Sequence, residues 1–259
     1  MGLYMKKISF ICVLLLFFVS ACSTVQYTKR SSLILVPESQ EIALGITSFQ
    51  EINQKEKIST DASQKALIEK VGRKIAAVAD RPDYKWEFVL FDAPDKVNAF
   101  ALPGGKVAFY TGIMPLCADE NGVAVVMAHE IAHAIARHGA ERMTHQLAAG
   151  FAGDVLSSAI TKQTPNAQKA ILTGYGLASQ YGAILPFSRK QEYEADHIGL
   201  ILMAKAGYKP SHAVDFWSRM NTLNKKSKIP EFLSTHPTDE KRIKQIQERI
   251  PEARGYLQQ

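Results

Sequence analysis

Gly122-Val-Ala-Val-Val-Met-Ala-His129-Glu130-Ile-Ala-His133-Ala-Ile-Ala-Arg-His138 decides the fold, because it places three polar side chains in the middle of an apolar helix. Apart from His129, Glu130 and His133, every residue from Val123 to Ala136 is apolar, which predicts a helix buried on all sides. Buried imidazoles and carboxylates without partners cost several kcal/mol, on the order of a polar group desolvated with no hydrogen bond. A metal ion satisfies all three at once. Residues four apart lie on one helical face, so His129 and His133 converge on a common point, as zinc requires. Glu130, one position on, lies about 100° round the helix and can face a water at the metal without ligating it.

Zinc held by two histidines needs a further protein ligand, and a catalytic site keeps a position open. Ser188-Arg-Lys-Gln-Glu192-Tyr-Glu194-Ala-Asp196-His197 offers three carboxylates. Glu192 and Asp196 are four apart and share a face, whereas Glu194 is about 200° away from Glu192. Glu192 is therefore assigned as ligand. Asp196 is expected to accept a hydrogen bond from the far ring nitrogen of a ligating histidine, and Glu194 to face solvent. His197 points the wrong way if Glu192 ligates. His138, His145, His212, Trp86 and Trp217 are read as ordinary solvated or packed residues.

Upstream of the metal helix, Thr60 or Asp61 caps a helix whose apolar residues recur from Ala62 to Val78. Trp86 to Phe91, Val97 to Ala101 and Lys106 to Thr111 read as strands of a small antiparallel sheet. Asn98-Ala99-Phe-Ala-Leu-Pro-Gly-Gly105 has two readings: an edge strand to which an extended peptide adds, or a plain hairpin turning at Gly104-Gly105. Downstream, Gly139 to Phe187 predicts two helices either side of Thr164-Pro165-Asn166, as a lid over the cleft or as packing helices. Neither offers about 18 uninterrupted apolar residues, so no membrane span is assigned.

Lys6 and Lys7 precede a short apolar run, Ile8 to Val19, and Val19-Ser-Ala-Cys22 resembles the bacterial lipobox. The expected organisation is a lipoprotein signal over residues 1–21, a lipidated Cys22 opening a tether and N-terminal segment to residue 58, and a metallopeptidase domain over 59–259. Ser23 favours the outer membrane. With Cys12 in the signal, only Cys117 remains, and no disulfide framework is expected from the chain's 3 cysteines. The net charge of +6 is spread along 259 residues, which argues against nucleic acid as a partner.

The sequence resembles the gluzincin metalloendopeptidases, the family that includes HtpX, the Ste-type CAAX prenyl proteases and the periplasmic proteases BepA and LoiP. The resemblance rests on Asn98 to Gly105, His129-Glu130-Ile-Ala-His133, Ser188-Arg189 through Glu192-Tyr-Glu-Ala-Asp196, and His236-Pro237 with Arg242. It implies a mainly helical α+β zincin-like domain whose edge strand borders the cleft. It also implies zinc, one per chain, on His129, His133 and Glu192, with Glu130 as base and Asn98 and Ala99 on the substrate backbone. On spacing alone His236 is a residue ahead of a helix opened by Pro237. The resemblance places it near the zinc, donating to the oxyanion or taking the fourth position in a latent form, and sets Arg242 in a supporting role. The implied activity is an envelope endopeptidase for misfolded or stalled proteins, anchored on the periplasmic face of the outer membrane, with outer-membrane assembly machinery as a candidate partner. The competing reading is an assembly factor or chaperone with secondary protease activity.

Overall fold

The computed structural model describes residues 22–179, 185–224 and 230–257. The stretch read as an export signal lies outside them. The chain opens with a two-stranded antiparallel ribbon, β1 (Cys22–Thr24) and β2 (Ser31–Leu33), followed by helices α1 (Glu38–Lys55) and α2 (Ala62–Ala76). Strands β3 (Glu87–Phe91), β4 (Ala99–Leu102) and β5 (Lys106–Tyr110) come next, then a single helical turn α3 (Met114–Cys117) and the metal helix α4 (Glu120–Ile135). The remainder is helical: α5 (His138–Ala159), α6 (Pro165–Ser179), α7 (Leu185–Lys205), α8 (His212–Asn224), α9 (Glu231–Thr235) and α10 (Glu240–Arg254).

Helix α4 is the axis. All its residues from Gly122 to Ile135 are buried, as its composition requires. Asp119 caps it, accepting from the Gly122 amide at 2.9 Å, and Gly122 lies so close to the Cys117 carbonyl that a Cβ would sit 1.8 Å from it. Helix α7 crosses α4 at Gly199, where an added Cβ would stand 3.3 Å from the backbone of Ala128 and His129. Helix α2, capped by Asp61 at 3.0 Å to the amides of Ser63 and Gln64, packs between α4 and β3. Helices α8 and α10 close the other side through Phe216, Trp217 and Ile246.

The sheet runs β3-β5-β4, with β5 central. Strands β4 and β5 form the expected antiparallel hairpin, its turn made by Gly104 and Gly105 at φ +85° and +84°. Strand β3 joins β5 in parallel, in register from Glu87 with Lys106 to Phe91 with Tyr110, so the sheet is mixed. The tight hairpin leaves β3 only the far side of β5, and β4 becomes an edge beside α4.

Residues 22–58, read as a tether and N-terminal segment, form the ribbon and an 18-residue helix that pack on the rest of the fold. Ile34, Val36 and Ala140 make a small apolar cluster there, and the Leu35 amide donates to Thr144 at 3.0 Å. In the segment 139–187, α5 buries Ala140, Glu141 and Thr144 near its start, while Leu147, Phe151 and Val155 further on are exposed. Residues 180–184 lie outside those described. No helix among the described residues is long and apolar enough to cross a membrane.

Candidate metal centre

Helix α4 presents His129 and His133 from adjacent turns, their Nε2 atoms 3.1 Å apart. Glu192, on α7, reaches both, with Oε2 3.3 Å from His129 Nε2 and Oε1 3.3 Å from His133 Nε2. His236, at the C-terminal end of α9, adds a fourth atom: its Nδ1 is 3.2 Å from His129 Nε2 and 3.0 Å from Glu192 Oε2. One ligand atom from each of the four lies within 4.8 Å of the others, and all four residues are buried.

These residues fit a metal on their own terms. Imidazole nitrogens bound tetrahedrally to zinc at about 2.0–2.1 Å are about 3.3 Å apart, close to the spacing seen. Glu192 Oε1 and Glu130 Oε1 are buried with no hydrogen-bond partner, which a nearby cation would compensate. Burial pulls the His129 imidazole down, but Asp196 and Glu192 outweigh it and push it up to about 9, the signature of a site that favours positive charge. Burial likewise acts to raise Glu192, and His236, His133 and Arg242 overcome it, holding the carboxyl well below its ordinary value.

Glu130 faces the same space without joining the four. Burial raises its pKa, opposed by His236 and His129, and a backbone hydrogen bond from Ala101 favours its charged form. His236 Nε2 stands 3.4 Å from Glu130 Oε1. The Ala101 contact follows from strand geometry. Asn98 O accepts from Tyr110 N at 3.1 Å, so the amides of Ala99 and Ala101 alternate to the side away from β5. The Ala99 amide is occupied by its neighbour's Asn98 Oδ1 at 2.9 Å, and the Asn98 amide group donates to Glu231 at 3.1 Å. Ala101 thus brings β4 against Glu130, while the Asn98 side chain ties the strand to α9 through Glu231.

Behind His129, Asp196 Oδ1 lies 3.0 Å from Nδ1, on the side expected of a supporting carboxylate. Arg242 is fully buried, pairs with Asp196 at 2.7 and 2.9 Å, donates to the Pro237 carbonyl at 2.9 Å and stands 3.2 Å from Glu192 Oε2. Its guanidinium lies over Trp217, 3.6 Å from the ring centroid, and Trp217 meets His129 edge-on at 5.4 Å. Phe232 stacks on Trp217 and anchors α9 by donating its amide to the Val97 carbonyl at 2.9 Å, which brings His236 to the cluster.

Behind His133 the structure departs from the sequence reading. His138 is wholly buried, with Nδ1 2.9 Å from His133 Nδ1 and Nε2 3.0 Å from Glu194 Oε2. Glu194, expected in solvent, is buried beneath the ribbon and takes Arg30 Nε at 2.8 Å and the Thr28 hydroxyl. Burial would raise the Glu194 carboxyl, but His138, Arg30 and Thr28 together lower it to about 2. Helical spacing hides this group because α4 ends at Ile135 and Arg137 takes left-handed φ 58°, turning His138 back onto His133. Arg137 is held there by Glu41 at 2.7 Å and the Val36 carbonyl at 3.1 Å. His197 pairs with Glu252 at 2.9 Å, apart from the cluster.

The family model described as Peptidase family M48 matches residues 62–250, more than half of the chain. Mitochondrial metalloendopeptidase OMA1 of Schizosaccharomyces pombe is 41% identical over 187 residues, 72% of this chain and 53% of that protein. Metalloendopeptidase OMA1, mitochondrial, of Homo sapiens is 31% identical over 265 residues, 97% of this chain and 50% of its own. The beta-barrel assembly-enhancing protease of Escherichia coli is 28% identical over 224 residues, 85% of this chain and 46% of its own. The chain thus spans about half the length of these curated relatives.

Proposed function

From the premise that this chain belongs to peptidase family M48, we propose that it is a zinc-dependent endopeptidase. The observation that carries the proposal is the convergence of His129, His133 and Glu192 on one point with the Glu130 carboxylate beside it. A zinc ion held by those three supplies Lewis acidity, making a water easier to deprotonate and a carbonyl carbon more electrophilic. Glu130 takes the proton from the attacking water and returns it to the leaving nitrogen. Burial strengthens its hold on that proton between the two transfers. An extended polypeptide adds along the outer edge of β4, where it takes over the Ala99 amide from Asn98 Oδ1 and comes to lie beside Glu130. Asp196 fixes the tautomer of His129, and Arg242 neutralises Asp196 and Glu192.

His236 has two roles that exclude one another in one conformer. With Nδ1 among the ligand atoms it closes the centre, and turned away it donates to the oxyanion. The closed arrangement favours the latent role for the conformation seen here. Casein hydrolysis by the purified full chain, with zinc quantified beside it, tests the whole reading. About one zinc per chain and a loss of 10²–10⁴-fold in Glu130→Gln with zinc retained is the expected result. A His236→Ala variant gains activity if His236 closes the centre and loses it if the oxyanion role dominates. Absence of zinc would sink the proposal.

The compartment follows from the N-terminal sequence. Lys6-Lys7, the run Ile8 to Val19 and Ala21-Cys22 support export and lipid attachment at Cys22 in a bacterial envelope, on the periplasmic face of the outer membrane, where misfolded or unassembled polypeptides are the substrates. Several relatives carry mitochondrial names, so this is tested directly: palmitate labelling is expected in the parent and absent in Cys22→Ala. The second reading, an assembly factor, is favoured by the closed position of His236 and by the name of the Escherichia coli relative. It predicts that Glu130→Gln retains full function in a client-assembly assay.

A further inference from the structure

The zinc reading assigns a purpose to His129, His133, Glu192 and Asp196 but leaves His138, Glu194 and Arg30 unused. These three form one connected path. His133 directs Nε2 to the metal position, so its proton must be on Nδ1. The atom facing that proton is His138 Nδ1, 2.9 Å away, which must therefore accept. His138 in turn carries its own proton on Nε2, and the acceptor for it is Glu194 Oε2 at 3.0 Å. Only one direction of donation satisfies both contacts, and it is the one that leaves His133 Nε2 free to ligate. The Gln191 side chain holds the far end of this arrangement, donating to the His138 carbonyl at 3.2 Å and to Glu141 at 3.0 Å.

Glu194 is not held by the catalytic domain alone. Arg30, between β1 and β2, grips it through Nε at 2.8 Å while the same guanidinium takes both oxygens of Glu141 at 2.6 and 2.8 Å, and Thr28 donates to the other Glu194 oxygen. Glu141 and Glu194 are 2% and 8% exposed, so Arg30 is set between two buried carboxylates on different helices. That is a fork placed by fold, and not a loose surface pair.

The geometry points to Arg30 of the N-terminal ribbon as a positioning residue for the metal ligand His133, acting through Glu194 and His138. The segment next to Cys22 is then part of the support of the centre, and undocking it loosens the ligand. This inference rests on the zinc reading above. Support residues of this kind change metal affinity by about 10–100-fold when removed.

The test is zinc affinity of the full chain in detergent, measured by competition with a chromophoric chelator, with thermal melting of the zinc-free protein beside it. Glu194→Gln and His138→Gln are expected to weaken zinc by about 10–100-fold. Arg30→Gln, changed at a half-exposed position, is expected to weaken it by a smaller factor, about 3–10-fold, at a temperature where the melting curve shows the zinc-free variant still folded. Arg30→Lys should recover only part of the loss, since an ammonium cannot bridge both carboxylates as a fork. Lys29→Gln, on the same turn but exposed, should match the parent. Parent-like affinity in Arg30→Gln overturns the role of the ribbon, and parent-like affinity in Glu194→Gln and His138→Gln overturns the path. If the parent itself binds no zinc, the zinc reading falls and the inference falls with it, a result distinct from either of the others.

Discussion

The two histidines of α4 are one turn apart and share a metal position, yet they are backed in different ways. His129 rests directly on a carboxylate, Asp196, which is neutralised by the fully buried Arg242 from the last helix of the chain. His133 rests on another imidazole, His138, whose carboxylate is neutralised by Arg30 from the first ribbon. Asp196 and Glu194 both come from α7, two residues apart and on opposite sides. A single ligand-bearing helix thus distributes its support between the two ends of the sequence. The first arrangement is dry and closed, and the second is reached by a half-exposed guanidinium, so the second is the easier to disturb.

The sharpest way to break this contrast is Arg242→Met. It leaves Asp196 and Glu192 buried without their cation, and a loss of about 3–5 kcal/mol is expected in urea unfolding of the zinc-free chain. Loss below about 1 kcal/mol would mean that the His129 side is not the dry one. Next in size is Asp196→Asn, expected to weaken zinc by about 10–100-fold in chelator competition, comparable to Glu194→Gln despite the shorter route to the metal. The smallest effect is a pH dependence on the His133 side. Glu194 titrates at about 2 in the folded chain and near 4.3 when unfolded, so its contribution is present above about pH 4.3 and is lost as pH falls toward 2. The difference in urea midpoint between parent and Arg30→Gln should therefore be largest near neutrality and shrink between about pH 4 and pH 2. A difference that holds constant to pH 2 would remove Glu194 from the account.

Much of the His129 side could be read from spacing. His129 and His133, and Glu192 and Asp196, are pairs four apart on single helices, and a rule of 3.6 residues per turn finds them. His236 and Arg242 needed a resemblance, because nothing local in Thr235 to Arg242 says that α9 is pinned to Val97. The His133 side was illegible for physical reasons. Its turn depends on a left-handed Arg137, an uncommon conformation for a residue with a side chain, and on contacts between residues more than 160 positions apart. Lying about 200° round the helix from Glu192, Glu194 reads as solvent-facing, and nothing local in the sequence shows that Thr28 and Arg30 of the ribbon cover it. The parallel partnership of β3 and β5 is not legible either, because alternation marks a strand without naming its partner or its direction.

Gly199 sits where α7 and α4 touch backbone to backbone, beside His129 and between the turn that carries Asp196 and the rest of α7. A methyl group there would have to push the two rods apart by a few tenths of an ångström, because the atoms it would meet are main chain and have no rotamers to adjust. The centre therefore behaves as a caliper whose jaws are α4 and α7 and whose stop is the absence of a single methyl group.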